Sequence, residues 1–98
     1  MNPSVAINTC ELCGRKAPLS FHHLIPRKVH RRKRFKKQFS RQQLAVGVKL
    51  CQLCHRGIHR LYDEMTLATQ LYTKESLADD PVIRKHVHWV RKQKRGLG

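Results

Sequence analysis

Residues 19 to 25 read Leu-Ser-Phe-His-His-Leu-Ile and are closed by Pro26. A proline disfavours the helical region for the residue before it, so this run is predicted to be a short strand. Side chains alternate along a strand, which sends His22 and His23 to opposite faces. A second run, Leu44-Ala-Val-Gly-Val-Lys-Leu50, alternates small or apolar residues and predicts a second strand that delivers Cys51. Helical spacing takes over beyond Cys54. His55 to Tyr62 fits a helix that turns Ile58, Leu61 and Tyr62 toward the sheet. Asp63 can cap a helix carrying Met65, Leu67, Ala68, Leu71 and Tyr72, and Thr73 opens a further short turn. Asp80 followed by Pro81 is an N-cap acid ahead of proline at the first helical position. It starts a last helix with Val82, Ile83, Val87 and Val90, Trp89 nearby, and Gly96 as its stop. Residues 1 to 9 carry few turn or core signals and read as a loose lead-in.

The expected class is therefore α+β, in the order strand, strand, helix, with supporting helices behind. At 98 residues there is room for one domain, and so short a chain buries too little surface to be more than marginally stable unaided. The pairs Cys10-x2-Cys13 and Cys51-x2-Cys54, with 37 residues between them, supply the missing staple. Two such pairs match a four-thiolate structural zinc site, and Gly14 suits the tight turn just past the second cysteine. The competing assignments are disulfides or buried unligated thiols. Met1-Asn2-Pro3-Ser4-Val5 lacks the basic start and apolar run of an export signal, so the expected location is the cytoplasm, where such pairs bind metal. A mixed Cys and His finger fails on the distance from Cys13 to His22 and His23.

Charge changes the picture further. Twenty-one Lys and Arg against six Asp and Glu give a formal net charge of +15. That balance calls for a polyanion, and counterion release from nucleic-acid phosphates is the commonest reason to carry it. With no long apolar run and no lipidation signal, a membrane partner is not expected. Nine cations crowd into residues 27 to 41: Arg27, Lys28, Arg31, Arg32, Lys33, Arg34, Lys36, Lys37 and Arg41. Together with Phe35 and Phe39 they predict a basic loop or short helix that contacts phosphates. Arg84, Lys85, Arg91, Lys92, Lys94 and Arg95 form a second basic face. His30, His86 and His88 read as surface or packing residues.

His55 and His59 lie one helical turn apart, a spacing at which two imidazoles can share one ion. Taken together, Cys10-x2-Cys13, Phe21-His22-His23-Leu24-Ile25-Pro26 and Cys51-Gln52-Leu53-Cys54-His55-x3-His59 resemble the HNH endonuclease superfamily, in its zinc-bound members. The chain is similar to the small stand-alone bacterial and phage HNH nucleases over roughly residues 10 to 62. The resemblance implies a zinc-stapled, treble-clef-like ββα-metal core, with residues 63 to 98 as supporting helices. It implies His23 as general base and His22, His55 and His59 as ligands of a catalytic divalent ion. Histidine ligation favours Mn2+, Ni2+, Co2+ or Zn2+ over Mg2+, and manganese is the ion expected to support activity. The implied partner is double-stranded DNA, nicked with low sequence preference by a monomer or weak dimer. The family's middle Asn, due near Val46, is missing, since Asn2 and Asn8 both precede the motif. Gln42 or Gln43 is the candidate substitute for tying the loop between the strands. The alternative function is a non-catalytic zinc module that binds nucleic acid through its basic segment. An adaptor for a protein partner is poorly served by the charge.

Overall fold

The computed structural model describes residues 7–93. Lys94, Arg95, the stop at Gly96 and residues 1–6 of the lead-in lie outside the described residues. A three-stranded antiparallel sheet is formed by β1 (Ile7–Thr9), β2 (Lys16–His23) and β3 (Gly47–Cys51), in the order β1-β2-β3. Between β2 and β3 come a single 3-10 turn at Arg27–Val29, α1 (Lys33–Gln38) and α2 (Arg41–Leu44). After β3 the chain turns at once into α3 (Gln52–Leu61), then α4 (Glu64–Gln70), α5 (Lys74–Asp79) and α6 (Pro81–Arg91). The α+β expectation is met. No helix among the described residues is long and apolar enough to cross a membrane.

Both strands of the central hairpin were legible, with shifted ends. β2 starts at Lys16 and pairs Leu19 with Cys51, His22 with Val48 and His23 with Gly47. Leu44 lies outside β3 because Ser40 and Gln43 close a capping box: the Ser40 amide donates to Gln43 Oε1 at 2.7 Å, and the Gln43 amide to Ser40 Oγ at 3.1 Å. That reciprocal pair winds residues 41 to 44 into α2 before the strand can begin. Gln43 thus ties down the connection between the strands. Part of the lead-in is a strand as well, since β1 aligns Asn8 with Ala17 and Thr9 with Lys16. Three residues are too few to display a period, and β1 exists through its partner rather than its own pattern.

Helix starts follow local capping chemistry. Asp63 Oδ1 accepts from the Thr66 amide at 2.7 Å, Thr73 and Ser76 form a second capping box, and Asp80 Oδ2 accepts from the Ile83 amide at 3.0 Å. The expected apolar faces need three corrections. Leu61 ends α3 exposed, and only Ile58 of its trio is fully buried. Tyr72 falls beyond α4, because the Thr73 cap needs extended backbone there, and lies edge-on to Phe39. Val82 is exposed, one heptad from exposed Trp89 on a flank of α6 that leaves Ile83, Val87 and Val90 to the core.

The main core packs Ala17, Leu24, Val48, Leu50, Ile58, Leu67, Leu77, Ile83 and Val90 around the cysteines. A smaller core of Ile25, Val29, Phe35, Leu44 and Ala68 lies under the basic segment. Phe35 is fully buried and stacks on Phe39, so α1 is a folded helix with its cations outward.

Candidate metal centres

Cys10 and Cys13 flank a tight turn after β1. The Gly14 amide donates to the Cys10 carbonyl at 3.0 Å, and Gly14 itself has φ +78°, the left-handed region glycine enters without cost. Cys51 ends β3 and caps α3, and Cys54 sits in the first turn of α3. All four thiols are free and buried, with their sulfurs within 4.8 Å of one another. Cys13 Sγ lies 3.7 Å from Cys51 Sγ. Four sulfurs placed tetrahedrally at about 2.3 Å from zinc stand about 3.8 Å apart, whereas a disulfide needs about 2.05 Å. The spacing is that of ligands and not of bonded cystines. Without an ion the thiols compete for charge: the hydrogen bond from Cys54 pushes Cys10 down to about 4, and that same bond pushes Cys54 up. Burial pushes Cys13 up to about 11. A soft divalent cation resolves this competition by stabilising every thiolate together.

The second group is built on opposite sides of the β2–α3 contact. His22 faces inward from β2, while His55 and His59 face it from successive turns of α3. Ring centroids are 5.2 Å apart from His22 to His55, 5.2 Å from His22 to His59 and 5.1 Å from His55 to His59. One nitrogen from each can be chosen so that all lie within 4.8 Å. His22 is 1% exposed and its Nε2 has no hydrogen-bond partner. A buried unpartnered ring nitrogen costs free energy unless something satisfies it, and an ion shared with His55 and His59 would do so. Burial, followed by the neighbouring imidazoles, pushes His22 down to about 3, and burial also lowers His55. Both imidazoles are held neutral near pH 7. Ser20, on the same face of β2 as His22, brings its hydroxyl to 2.6 Å from His55 Nδ1 and to 3.5 Å from the Leu50 carbonyl. A hydroxyl that donates to the carbonyl can accept Nδ1–H, which leaves the other nitrogen of His55 for a metal.

His23 projects to the other face of the strand. Its ring meets the edge of Phe21 at 4.8 Å and of His30 at 5.8 Å, and His30 is fixed by donating Nε2–H to the Ile25 carbonyl at 2.6 Å. Burial first, then the His30 and Arg27 charges, lower the His23 pKa, which keeps the imidazole neutral near pH 7. β3 carries glycine opposite His23 because a Cβ on Gly47 would overlap the Phe21 ring and the His22 carbonyl. A cavity of about 240 Å³ unites Phe21, His22, His23, Pro26, Arg27, Lys28, His55, His59 and Glu64.

YisB of Bacillus subtilis (strain 168), an uncharacterized protein, is 38% identical to the chain over 85 residues, which span 86% of the chain and 74% of YisB. The chain belongs to the YisB family. No family model matches it, and no solved structure matches it.

The YisB-family chain brings together all four cysteines and all four motif histidines singled out in its sequence, but it divides the nine cations. Arg27 and Lys28 line the histidine cavity, with Lys28 3.5 Å from Glu64. Arg31, Lys36 and Arg41 line a separate groove with His30 and Phe39. Arg32, Lys33, Arg34 and Lys37 are exposed, and Arg34 lies over the Phe35 ring at 5.6 Å. Ser20 and Glu64 are site neighbours that sequence reading missed, Phe21 stood in the quoted motif without a role, and His30, read as a surface or packing residue, packs against His23. Period-2 alternation already puts Ser20 on the face of His22 and Phe21 on that of His23. His30 and Glu64 arrive through tertiary packing and carry no local signal.

Proposed function

We propose that this YisB-family protein is a metal-dependent endonuclease of the HNH type that hydrolyses DNA phosphodiester bonds. In this reading the cysteines hold a structural zinc in a treble-clef-like core, and His22, His55 and His59 hold a catalytic divalent ion. The observation that carries it is the opposition of two faces of one strand. His22, its buried Nε2 without a hydrogen-bond partner, packs against the two helix imidazoles, while the next residue, held neutral, opens into the same cavity. A structural histidine cluster does not require that neighbour. A base beside an electrophilic site does.

His23 takes a proton from a water molecule as its oxygen bonds to phosphorus, and the bond from phosphorus to the 3′ oxygen breaks. His30 and Phe21 confine the His23 ring while this happens. Arg27 and Lys28, exposed at the rim, bind flanking phosphates and set the register of the strand without reading bases. A bound divalent ion would offset charge on the scissile phosphate and on the departing oxygen. The imidazole donor set suits manganese, nickel, cobalt or zinc, and Mn2+ is the ion to assay first.

Supercoiled plasmid incubated with Mn2+ tests the proposal. Wild type is expected to convert it to the nicked form, and His23→Ala to lose this activity while keeping its zinc content by mass spectrometry. If neither protein cuts with Mn2+, Mg2+, Ni2+ or Co2+ yet both bind DNA, the nuclease reading falls and a non-catalytic zinc module replaces it.

A further inference from the structure

The outer face of α6 is cationic and concave. Arg84, Lys85, His88 and Arg91, with Leu12 and Val87, line a groove of about 620 Å³. Among the described residues, none of Arg84, Lys85 and Arg91 is ion-paired with a carboxylate. The groove is rigidly mounted. Arg91 Nε donates to the Cys13 carbonyl at 3.1 Å, and Arg15 Nη1 donates to the Val90 carbonyl at 2.8 Å, so the end of α6 is tied to the cysteine turn. The remaining guanidinium nitrogens of Arg91 are left for an anion.

This groove is not an extension of the histidine cavity. α6 packs on α3 at Leu53 and Gly57: His86 donates Nε2–H to the Leu53 carbonyl at 2.9 Å, and its ring occupies the space a side chain on residue 57 would need. His55 and His59 each follow one of those contact residues by two positions. Two positions on an α-helix amount to a rotation of about 200°, so α6 and the imidazole cluster lie on opposite sides of α3. Each helix with its side chains is about 10 Å thick, which puts the outer face of α6 roughly 20 Å from the cavity. A straight backbone seated in one place cannot reach the other.

The length of the cationic row matches a nucleic-acid strand. From residue 84 to residue 91 the helix rises about 10 Å, and each strand presents one phosphate about every 3.4 Å of duplex axis, so a segment lying along that axis offers about three. We infer that the α6 groove binds the phosphate backbone of a second DNA segment, so that one molecule bridges two duplex segments. This rests on the reading of the chain as a DNA-binding protein and not on cleavage.

The full-length chain, without added divalent ion, is titrated into an equal mixture of donor-labelled and acceptor-labelled short duplexes. Energy transfer reports bridging, and the mass of the complex gives its stoichiometry. The expected complex is one chain with two duplexes. Arg84→Ala/Lys85→Ala removes exposed side chains only, so it is expected to bind the first duplex as wild type does and to lose transfer. The salt dependence of the second binding event should fall by about two units of slope, one per phosphate contact. The inference is overturned by a complex of one chain and one duplex, by two chains with two duplexes, or by a double variant that bridges unchanged. It is also overturned if the double variant loses both duplexes equally, which would mean both faces grip one, or if polyglutamate and not DNA occupies the groove. Bridging without nicking upholds the inference and sinks the nuclease proposal. Nicking without bridging does the reverse.

Discussion

The two clusters meet at consecutive residues, Cys54 and His55, yet they differ in closure. The cysteine group offers four donors, every one buried; the histidine group offers three, one buried, one half-buried and one exposed. A tetrahedral ion among the cysteines has its coordination completed by protein and no path for a substrate. An ion among the histidines would keep positions open toward the cavity that holds His23 and Arg27. Closed donor sets characterise structural metal and open ones characterise catalytic metal. Adjacency has its own consequence, because whatever fixes Cys54 also fixes the first turn of α3, from which His55 is presented.

The largest effects should therefore separate fold from chemistry. Cys54→Ala removes a fully buried donor, and structural zinc in small domains contributes about 10–16 kcal/mol of apparent binding free energy. That is as large as the roughly 5–15 kcal/mol by which a whole domain is stable, so the variant is expected to be unfolded by circular dichroism and devoid of zinc. A folded, cooperatively melting Cys54→Ala would break the comparison. His59→Ala truncates an exposed donor instead. Its stability should stay within about 0.5 kcal/mol of wild type in a denaturant titration. Affinity for a second equivalent of Co2+ should fall by at least about 100-fold, more than loss of an outer hydrogen bond produces. Cobalt reports the two groups apart, since only thiolate ligation gives intense near-ultraviolet charge transfer.

Ser20→Ala sharpens the comparison from outside the ligand set. Loss of the 2.6 Å contact to His55 Nδ1 frees that ring to choose its tautomer. Metal affinity at the histidines should drop about 10-fold, with the thiolate signal unchanged. An equal loss in both signals would mean that Ser20 acts through the fold.

How much of this was legible in the sequence differs between the clusters for a physical reason. The cysteine pairs are local, each set by one turn, so their spacing shows directly. The helix caps Asp63 and Asp80 were equally plain, because a cap is a contact over three residues, whereas Thr73 read only as the start of a short turn and in fact caps α5. The imidazole group needed the strand period, the helix period and their registration against each other, of which only the first two are written locally. Its supports at His30 and Glu64, and the far-side placement of the α6 cations, come from packing alone. β1 and α2 were missed because short elements are made by their partners: Ala17 across from Asn8, and Ser40 reaching Gln43.

The smallest expected effect asks whether α6 can be loosened without disturbing either cluster. Tyr62 closes α3 by donating its hydroxyl to Asp80 Oδ2 at 2.8 Å, the same oxygen that caps α6. Tyr62→Phe should cost about 1 kcal/mol, the usual net worth of one such hydrogen bond, and leave both cobalt signals as in wild type. The pH dependence has a definite sign. The hydrogen bond to Asp80, then burial, raise the Tyr62 pKa from its ordinary value of 10.0. Folding therefore favours the protonated phenol. Its contribution is fully present below about pH 10 and is lost as pH rises through the raised folded value. The stability gap between wild type and Tyr62→Phe should be flat across neutral pH and close above pH 10, as read from urea midpoints of the two proteins side by side. A gap that instead widens with pH would mean the phenolate is the favoured form, and the bond from α3 to the α6 cap would not be what holds the two helices together.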